Sequence, residues 1–239
     1  MKRLIIFLVI IISVSIYSQT PSLLWEKAFM FGTGFSNDQP QGIAIDKNNN
    51  IFVNGINDIS GIFVRSSFMK FSGNGNSEFI FKDTTSVWTT SNYNQITILE
   101  NNDIVFSSSY FDGTKTNLIY VDKNGVEIWR KEIQGFPGIT SVGDTTVVVT
   151  QGNQNIYFYD SNGNIIRSFP LGDVRGNISV KVISQKIVIT ALYYQGSVLS
   201  AFAAQYNRYL GEEIWRVNFP YVARAFGDAD QNGNVYIGL

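Results

Sequence analysis

The last residues of the chain contain the clearest candidate for metal binding. Asp228, Asp230 and Asn232 alternate along the sequence and are followed by Gly233. This spacing matches the opening of an EF-hand-type loop, in which oxygens at positions 1, 3 and 5 bind Ca²⁺ and a glycine at position 6 allows a sharp turn. Position 12 would be Leu239, which has no carboxylate to offer. The pattern predicts either a calcium site or the turn of a β-hairpin, and the missing ligand favours the turn, for which Asp and Asn are well suited.

The composition restricts the catalytic chemistry. The 239 residues include neither histidine nor cysteine, which excludes Ser-His-Asp and Cys-His catalysis and histidine-ligated zinc or iron sites. Carboxylate, lysine, tyrosine or metal-carboxylate chemistry remains. The 19 Asp and Glu residues are scattered, and no pair of the kind that a glycosidase needs stands out among them. Apart from the candidate calcium ion, no cofactor is predicted.

The first 18 residues predict a signal peptide. A short basic start is followed by an almost wholly apolar run from Leu4 to Tyr17, and Ser18 supplies a small residue for cleavage. The run is shorter than the ~20 residues that span a bilayer. We therefore expect a secreted protein, extracellular or periplasmic, that is not inserted in a membrane after cleavage. The net charge of −1 and the lack of a basic run argue against a nucleic-acid partner.

Residues 19–239 contain two alternating sequence motifs. The first is a hairpin of two short β-prone runs around an Asn/Gly/Asp turn, as in GIAIDKNNNIFVNG (42–55), and it occurs five times. The second is a glycine followed four residues later by an aromatic residue. The pairs are Gly75 and Phe79, Gly125 and Trp129, Gly211 and Trp215, and also Gly163 with Arg167 in the aromatic position. Trp25 lies in a similar strand-like segment that lacks the preceding glycine. A spacing of about 40 to 50 residues with four strand-like runs per unit is typical of β-propeller blades.

The predicted fold is therefore an all-β propeller of four-stranded antiparallel blades. We expect four complete blades at about 40–81, 94–132, 139–169 and 178–219, a partial blade at 223–239, and a strand at 22–29 from a closing blade. Two arrangements remain open at this point. One is a truncated ring that originally had six to eight blades, and the other is a five-bladed ring in which one blade has three strands.

Two propeller families resemble this sequence. The segments GIAIDKNNNIFVNG and DADQNGNVYIG resemble the SBBP-type repeat. The Gly-x-x-x-Trp strands are similar to the tryptophan-docking motif of quinoprotein-like propellers. The resemblance implies a secreted bacterial β-propeller, and it specifies a fold much better than an activity.

Paired aromatic residues beside predicted loops suggest a binding surface. We expect the loops that join the second strand of a blade to its third, and the fourth to the next blade, to lie together at one end. Tyr110, Phe111, Tyr193 and Tyr194 belong to the first kind of loop; Phe136, Arg175 and Tyr221 belong to the second. These residues either bind a protein or carbohydrate partner or merely cap the blade edges.

The sequence as a whole favours a non-enzymatic binding or scaffolding module. The alternative is a fragment of a propeller enzyme, either a quinoprotein-like oxidoreductase or a carboxylate-dependent polysaccharide hydrolase or lyase.

Overall fold

The structure is a computed structural model that describes residues 39–59, 63–83, 95–110, 114–150, 155–172, 174–222 and 224–238. Within these ranges every regular element is a β-strand. The same residues include no helix that is long and apolar enough to cross a membrane. The predicted signal peptide and the predicted strand at 22–29 lie outside the described residues.

The strands form four consecutive four-stranded antiparallel sheets and one two-stranded sheet, each in chain order. Blade 1 contains β1 (Gln39–Ile45), β2 (Ile51–Ile59), β3 (Phe63–Phe71) and β4 (Ser77–Lys82). Blade 2 contains β5 (Ile96–Ile98), β6 (Ile104–Ser109), β7 (Lys115–Val121) and β8 (Glu127–Gln134). Blade 3 contains β9 (Pro137–Val142), β10 (Thr145–Thr150), β11 (Asn155–Tyr159) and β12 (Ile165–Pro170). Blade 4 contains β13 (Arg175–Ile183), β14 (Lys186–Gln195), β15 (Val198–Asn207) and β16 (Glu213–Phe219), and the partial blade 5 contains β17 (Phe226–Ala229) and β18 (Val235–Gly238).

The blades stack with their first strands side by side. The contacts join β1 with β5, β5 with β9, β9 with β13 and β13 with β17. The side chain of Gln95, just before β5, crosses three blades: its Oε1 accepts the backbone N–H of Ile139 at 2.9 Å, and its Nε2 donates to the carbonyl oxygen of Ile178 at 2.8 Å. The first strands therefore converge on one axis, which confirms the predicted β-propeller with four complete blades and a partial one. Among the described residues, no extended contact joins blade 5 to blade 1.

Strand alternation divides the core between successive blades. In β10, Val147 and Val149 pack with residues of blade 4, whereas Val148 packs with residues of blade 2. Because blades pack on both faces, middle strands such as β6 and β10 are buried almost throughout, as in other sheets that are covered on both sides. The outer strand β12 is instead mostly exposed.

The aromatic positions of the second motif couple each blade to the next. Trp129 on β8 lies against Gly163 in the turn of blade 3, and its indole N–H donates to the carbonyl oxygen of Ser161 at 2.9 Å. A Cβ on Gly163 would lie 3.0 Å from the indole ring, which explains why this turn carries a glycine. Phe79 approaches Gly125 of blade 2 in the same way.

Arg167 replaces the aromatic residue between blades 3 and 4. It occupies the same register position on β12 as Trp129 on β8, since each is paired with the residue before a β-bulge. Its guanidinium donates to the carbonyl oxygen of Arg208 at 3.2 Å, much as the indole of Trp129 donates to the turn of blade 3. The ring that lies against Gly211 comes from Phe169, two residues further along β12. Arg167 and Phe169 thus share the role that a single tryptophan has in the preceding blade.

A buried ion pair adds a second link between blades 1 and 2. Asp83, at the end of blade 1, is fully buried. Its carboxylate accepts hydrogen bonds from the guanidinium of Arg130 at 3.0 Å and from the hydroxyl of Ser108 at 2.9 Å, and both donors belong to blade 2. Glu127 also binds the guanidinium. Because both charges are compensated, the burial of Asp83 is tolerated.

Candidate functional site

The blades have two chemically different ends. We call the end with the turns between first and second strands and between third and fourth strands the turn end. We call the other end, which carries the connections between second and third strands and between blades, the loop end. Because consecutive strands are antiparallel, each blade sends the same kind of connection to the same end. The sequence-predicted aromatic residues that the structure describes lie towards the loop end, and the candidate calcium ligands lie towards the turn end.

Aspartates at the turn end fold the turns around their own carboxylates. Oδ1 of Asp230 accepts the backbone N–H groups of Asn232 and Asn234, both at 2.9 Å. Its Oδ2 accepts the side-chain amide of Asn234 at 2.7 Å. Asp46, Asp122 and Asp160 accept backbone N–H groups two and four residues further on in the same way. The repeated Asp/Asn/Gly pattern is therefore accounted for by turn geometry.

These hydrogen bonds change the acidity of the turn aspartates. The amide and backbone N–H of Asn234 hold the pKa of Asp230 below its usual range. Backbone N–H groups also lower the pKa of two other turn aspartates. The main donor is Val126 for Asp122 and Asn164 for Asp160. An ionised carboxylate is the better acceptor, so these hydrogen bonds favour the charged form.

The three candidate calcium ligands have separate contacts in the structure. Asp228 forms an ion pair with Lys181 of blade 4 at 3.0 Å, and this contact lowers the pKa of Asp228. Asp230 is engaged in its own turn, and Asn232 contributes a backbone N–H to it. Within the described ranges, no three His, Cys, Asp or Glu residues are grouped closely enough to hold a metal ion. The calcium site remains a prediction, and thermal melting in calcium against EDTA tests it.

The predicted Tyr193–Tyr194 loop is part of a strand. Both residues belong to β14, which extends to residue 195, and the connection to β15 is a tight turn at Gly196 and Ser197. The sequence interpretation was wrong on this point because the second and third strands of blade 4 are ten residues long, the longest in the described chain.

Alternation along β14 gives the two tyrosines different environments. Tyr193 packs against the core between blades 3 and 4, with its ring centroid 5.9 Å from that of Phe202. The side chain of Tyr194 points to the other face and is 51% exposed. Tyr194 is therefore the more accessible of the two to a partner.

Tyr194 contacts Arg175 at the loop end of blade 4, and the topology places Tyr221 at the same end. The guanidinium of Arg175 lies 5.9 Å from the ring centroid of Tyr194, within the range of a cation–π contact. Tyr221, in the connection from β16 to β17, is 84% exposed and has a positive φ of 61°. We call Arg175, Tyr194 and Tyr221 the loop-end patch. Leu192 and Ala225, which are buried in one apolar cluster, support this part of the blade.

The remaining predicted residues do not join this patch. Tyr110 follows β6 directly, is half-buried, and donates its backbone N–H to the carbonyl oxygen of Lys115 at 2.9 Å. Phe136 is half-buried in the short connection from blade 2 to blade 3. Phe111 lies outside the described residues. Tyr110 and Phe136 belong to blade 2 and to its connection with blade 3, whereas the loop-end patch belongs to blade 4.

Two buried tyrosines with raised pKa values form hydrogen bonds with acidic side chains. Burial raises the pKa of Tyr120 to about 12, and its hydroxyl donates to Asp103 at 2.8 Å. Burial also raises the pKa of Tyr206, whose hydroxyl donates to Glu213 at 2.9 Å. A general acid or base works best with a pKa near the operating pH. The pKa values of these tyrosines are raised and those of the turn aspartates are lowered, so both groups are shifted away from neutral pH.

Comparison with known proteins supports the fold and no specific activity. No protein-family model matches the sequence, and no curated protein matches it. The β-propeller domain of the Trilobed protease from Pyrococcus furiosus, described as having an open velcro topology, is similar with a TM-score of 0.50 and 9% identity. The match covers 76% of this chain and 58% of that one.

A protein of unknown function from Bacteroides caccae is similar over 84% of this chain and 70% of its own, with 14% identity and a TM-score of 0.49. Identities this low indicate a shared fold, and they carry no information about ligand or reaction.

Proposed function

We propose that this β-propeller is a secreted, non-enzymatic module that binds or scaffolds a protein or glycan partner, and that it does so through the loop-end patch. The observation that carries the proposal is the cation–π contact between the Arg175 guanidinium and the exposed ring of Tyr194, with the more exposed Tyr221 at the same end of the blade. Tyrosine and arginine are the residue types that most often dominate binding energy, because each offers a large contact area together with a polar group.

The setting of the patch supports this proposal. Tyr194 is held by a ten-residue strand, so binding would not require a flexible loop to become ordered. Neither histidine nor cysteine is available anywhere in the sequence for catalysis. The contact of Trp129 with Gly163 of the next blade also supports the resemblance to tryptophan-docking propellers, in which such contacts hold the blades together.

A binding screen with matched variants tests the patch. The full-length protein is applied to glycan and peptide arrays, and each hit is compared with Tyr194→Ala and Tyr221→Ala. Tyr236→Ala is the control, because this tyrosine is 60% exposed but lies on β18 near the turn end. Truncation of a dominant interface residue costs at least about 2 kcal/mol, or about thirtyfold in affinity. Undiminished binding by both patch variants, or an equal loss in the control, would contradict the proposal.

Secretion needs its own experiment, since the predicted signal peptide lies outside the described residues. Expression of the full chain in a bacterial host should deliver the mature protein outside the cytoplasm, with an N-terminus at Gln19 after cleavage behind Ser18. Cell fractionation followed by N-terminal sequencing measures both. Retention of the uncleaved chain in the cytoplasm would refute this part of the proposal.

A further inference from the structure

A small cavity lies between blades 3 and 4 at the turn end, away from the loop-end patch. Its volume is about 180 Å³, and its lining includes Arg167, Arg208, Tyr209 and Thr145 together with Phe158 and Ile166. Pockets for drug-sized ligands typically measure ~300–1,000 Å³. This cavity therefore suits a single ring or a terminal group of a larger ligand.

The two guanidinium groups of the lining are held in position by aromatic rings. That of Arg167 lies 5.8, 5.9 and 5.7 Å from the ring centroids of Phe158, Phe169 and Tyr209. That of Arg208 lies 4.6 Å from the ring centroid of Tyr209 and also donates a hydrogen bond to its hydroxyl. Such contacts fix the planes of the guanidiniums while leaving N–H groups that can bind an anion.

Neither charge is compensated within the described part of the chain. Arg130 and Arg216 both form ion pairs with glutamates of their own strands, whereas Arg167 and Arg208 form none with any described residue. Among the residues that the structure describes, the cavity lining contains no carboxylate. Two cations that line one cavity and have no counter-ion among the described residues favour a negatively charged ligand, and a guanidinium suits bidentate binding of a carboxylate or sulfate.

The cavity depends on a departure from the blade repeat. The turn from third to fourth strand is closed by a hydrogen bond from Asp122 to Val126 in blade 2 and from Asp160 to Asn164 in blade 3. In blade 4 the corresponding hydrogen bond joins Asn207 to the carbonyl oxygen of Glu212, so this turn is one residue longer. The longer turn carries Arg208 and Tyr209 beside the side chain of Arg167.

We propose that this cavity binds one sugar unit of an acidic polysaccharide, with Arg167 and Arg208 binding its carboxylate or sulfate. A sugar acid combines a negative charge, hydroxyl groups and an apolar ring face. The lining offers a partner for each: the two guanidiniums, the polar Thr145, and the exposed side chains of Ile166 and Tyr209. This site uses no residue of the loop-end patch, so the two proposals stand or fall separately.

Calorimetric titration of the full-length protein tests the site. The ligands are an oligogalacturonate, chondroitin sulfate oligosaccharides, a neutral oligosaccharide of equal length, a glutamate oligomer and inorganic phosphate. We expect binding of one or both acidic saccharides, weakened by added salt because the contact is electrostatic. Binding of the galacturonate would show that a carboxylate is sufficient, and binding of chondroitin sulfate alone, which carries both carboxylate and sulfate, would show that the galacturonate carboxylate is not; either supports the proposal.

Matched variants separate this cavity from general charge attraction. Arg208→Gln should weaken acidic-saccharide binding at least about tenfold, the loss expected for a charge-assisted hydrogen bond. It should leave the melting temperature nearly unchanged, because its guanidinium contacts only the neighbouring tyrosine among the described residues. Arg167→Gln also loses an inter-blade hydrogen bond, so its melting temperature is measured to show whether a loss of binding is caused by a loss of stability. Lys186→Gln is the control, since it removes one exposed positive charge of blade 4.

Three results would overturn the proposal. The first is equal or tighter binding of the neutral saccharide or of the glutamate oligomer. The second is binding of phosphate with no binding of either acidic saccharide. The third is an affinity for the acidic saccharides that Arg208→Gln leaves unchanged, or that Lys186→Gln lowers equally.

Discussion

Replacement of Trp129 by alanine provides the most direct test of how the blades are held together. Trp129 and Trp215 occupy the same register position in blades 2 and 4. Trp129 reaches into the turn of blade 3, where its indole N–H donates to the carbonyl oxygen of Ser161 and its ring faces Gly163. Within the described residues the side chain of Trp215 forms no hydrogen bond. The two tryptophans therefore form a natural pair of test and control.

The expected magnitudes follow from these contacts. Truncation of a core tryptophan costs ~3–5 kcal/mol, and Trp129 is half-buried, which favours the lower end of this range. Its ring centroid lies 5.3 Å from that of Tyr120 and 6.4 Å from that of Tyr159, and such aromatic pairs contribute about 0.5–1.5 kcal/mol each. We expect Trp129→Ala to lower the free energy of unfolding by about 3 kcal/mol and Trp215→Ala by about 1 kcal/mol.

Urea unfolding of the full-length variants, followed by far-ultraviolet circular dichroism, measures this difference without relying on tryptophan fluorescence. A loss of about 3 kcal/mol corresponds to a fall in melting temperature of about 6–12 °C for a chain of this size. Trp129→Phe, which keeps a ring and loses the hydrogen bond, should cost about 1 kcal/mol. Equal losses for the two alanine variants, within about 0.5 kcal/mol, would refute the idea that inter-blade docking makes Trp129 different.

Three further predictions concern glycine, buried charge and acid. Gly163→Ala and Gly233→Ala each place a side chain at a positive φ, of 78° and 86°, which costs about 1–2 kcal/mol. Of the two, Gly163→Ala also crowds the indole of Trp129 in the preceding blade, so urea unfolding should show a larger loss of stability for it. Equal losses would contradict the docking contact. Asp83→Asn should lower the free energy of unfolding by about 2 kcal/mol, because it removes the buried charged acceptor of Arg130, which keeps its ion pair with Glu127. A loss under about 1 kcal/mol would place this pair with ordinary surface ion pairs. The pKa of Asp122 is lowered by backbone N–H groups of its own turn. Its ionised form therefore contributes stability that is present above the unfolded pKa of about 3.9 and is lost as the pH falls through the lower folded value. Thermal melting from pH 7 to pH 2 should show the difference in melting temperature between wild type and Asp122→Ala closing in acid, and a constant difference would contradict this assignment.

The turns and the number of blades could be predicted from the sequence because their causes are local. In the turn at Asp160, the carboxylate accepts N–H groups no more than four residues away. Gly163 has the positive φ that this turn requires. Alternating apolar residues on either side of such a turn are sufficient to predict a hairpin. The repeat was therefore visible without knowledge of which sheets pack against each other.

Other features could not be predicted because they depend on strand length and on contacts between distant residues. The assignment of Tyr193 and Tyr194 to a loop failed because ten-residue strands carry the pleat through both tyrosines. The cation–π contact between Arg175 and Tyr194 joins residues on different strands of blade 4. The turn of blade 4 that carries Tyr209 is one residue longer than in blades 2 and 3. The sequence does not show that this turn places Tyr209 against Arg167 of the preceding blade.

The sequence by itself determined a turn-rich β repeat without histidine or cysteine chemistry. It did so because turn hydrogen bonds and strand alternation are satisfied within one hairpin. The tertiary structure decided which side of each blade is core, why an arginine can take the position of a tryptophan, and where uncompensated charges meet. Those outcomes arise where one blade packs against the next, between residues such as Arg167 and Arg208 that are far apart along the chain, so no local pattern contains them.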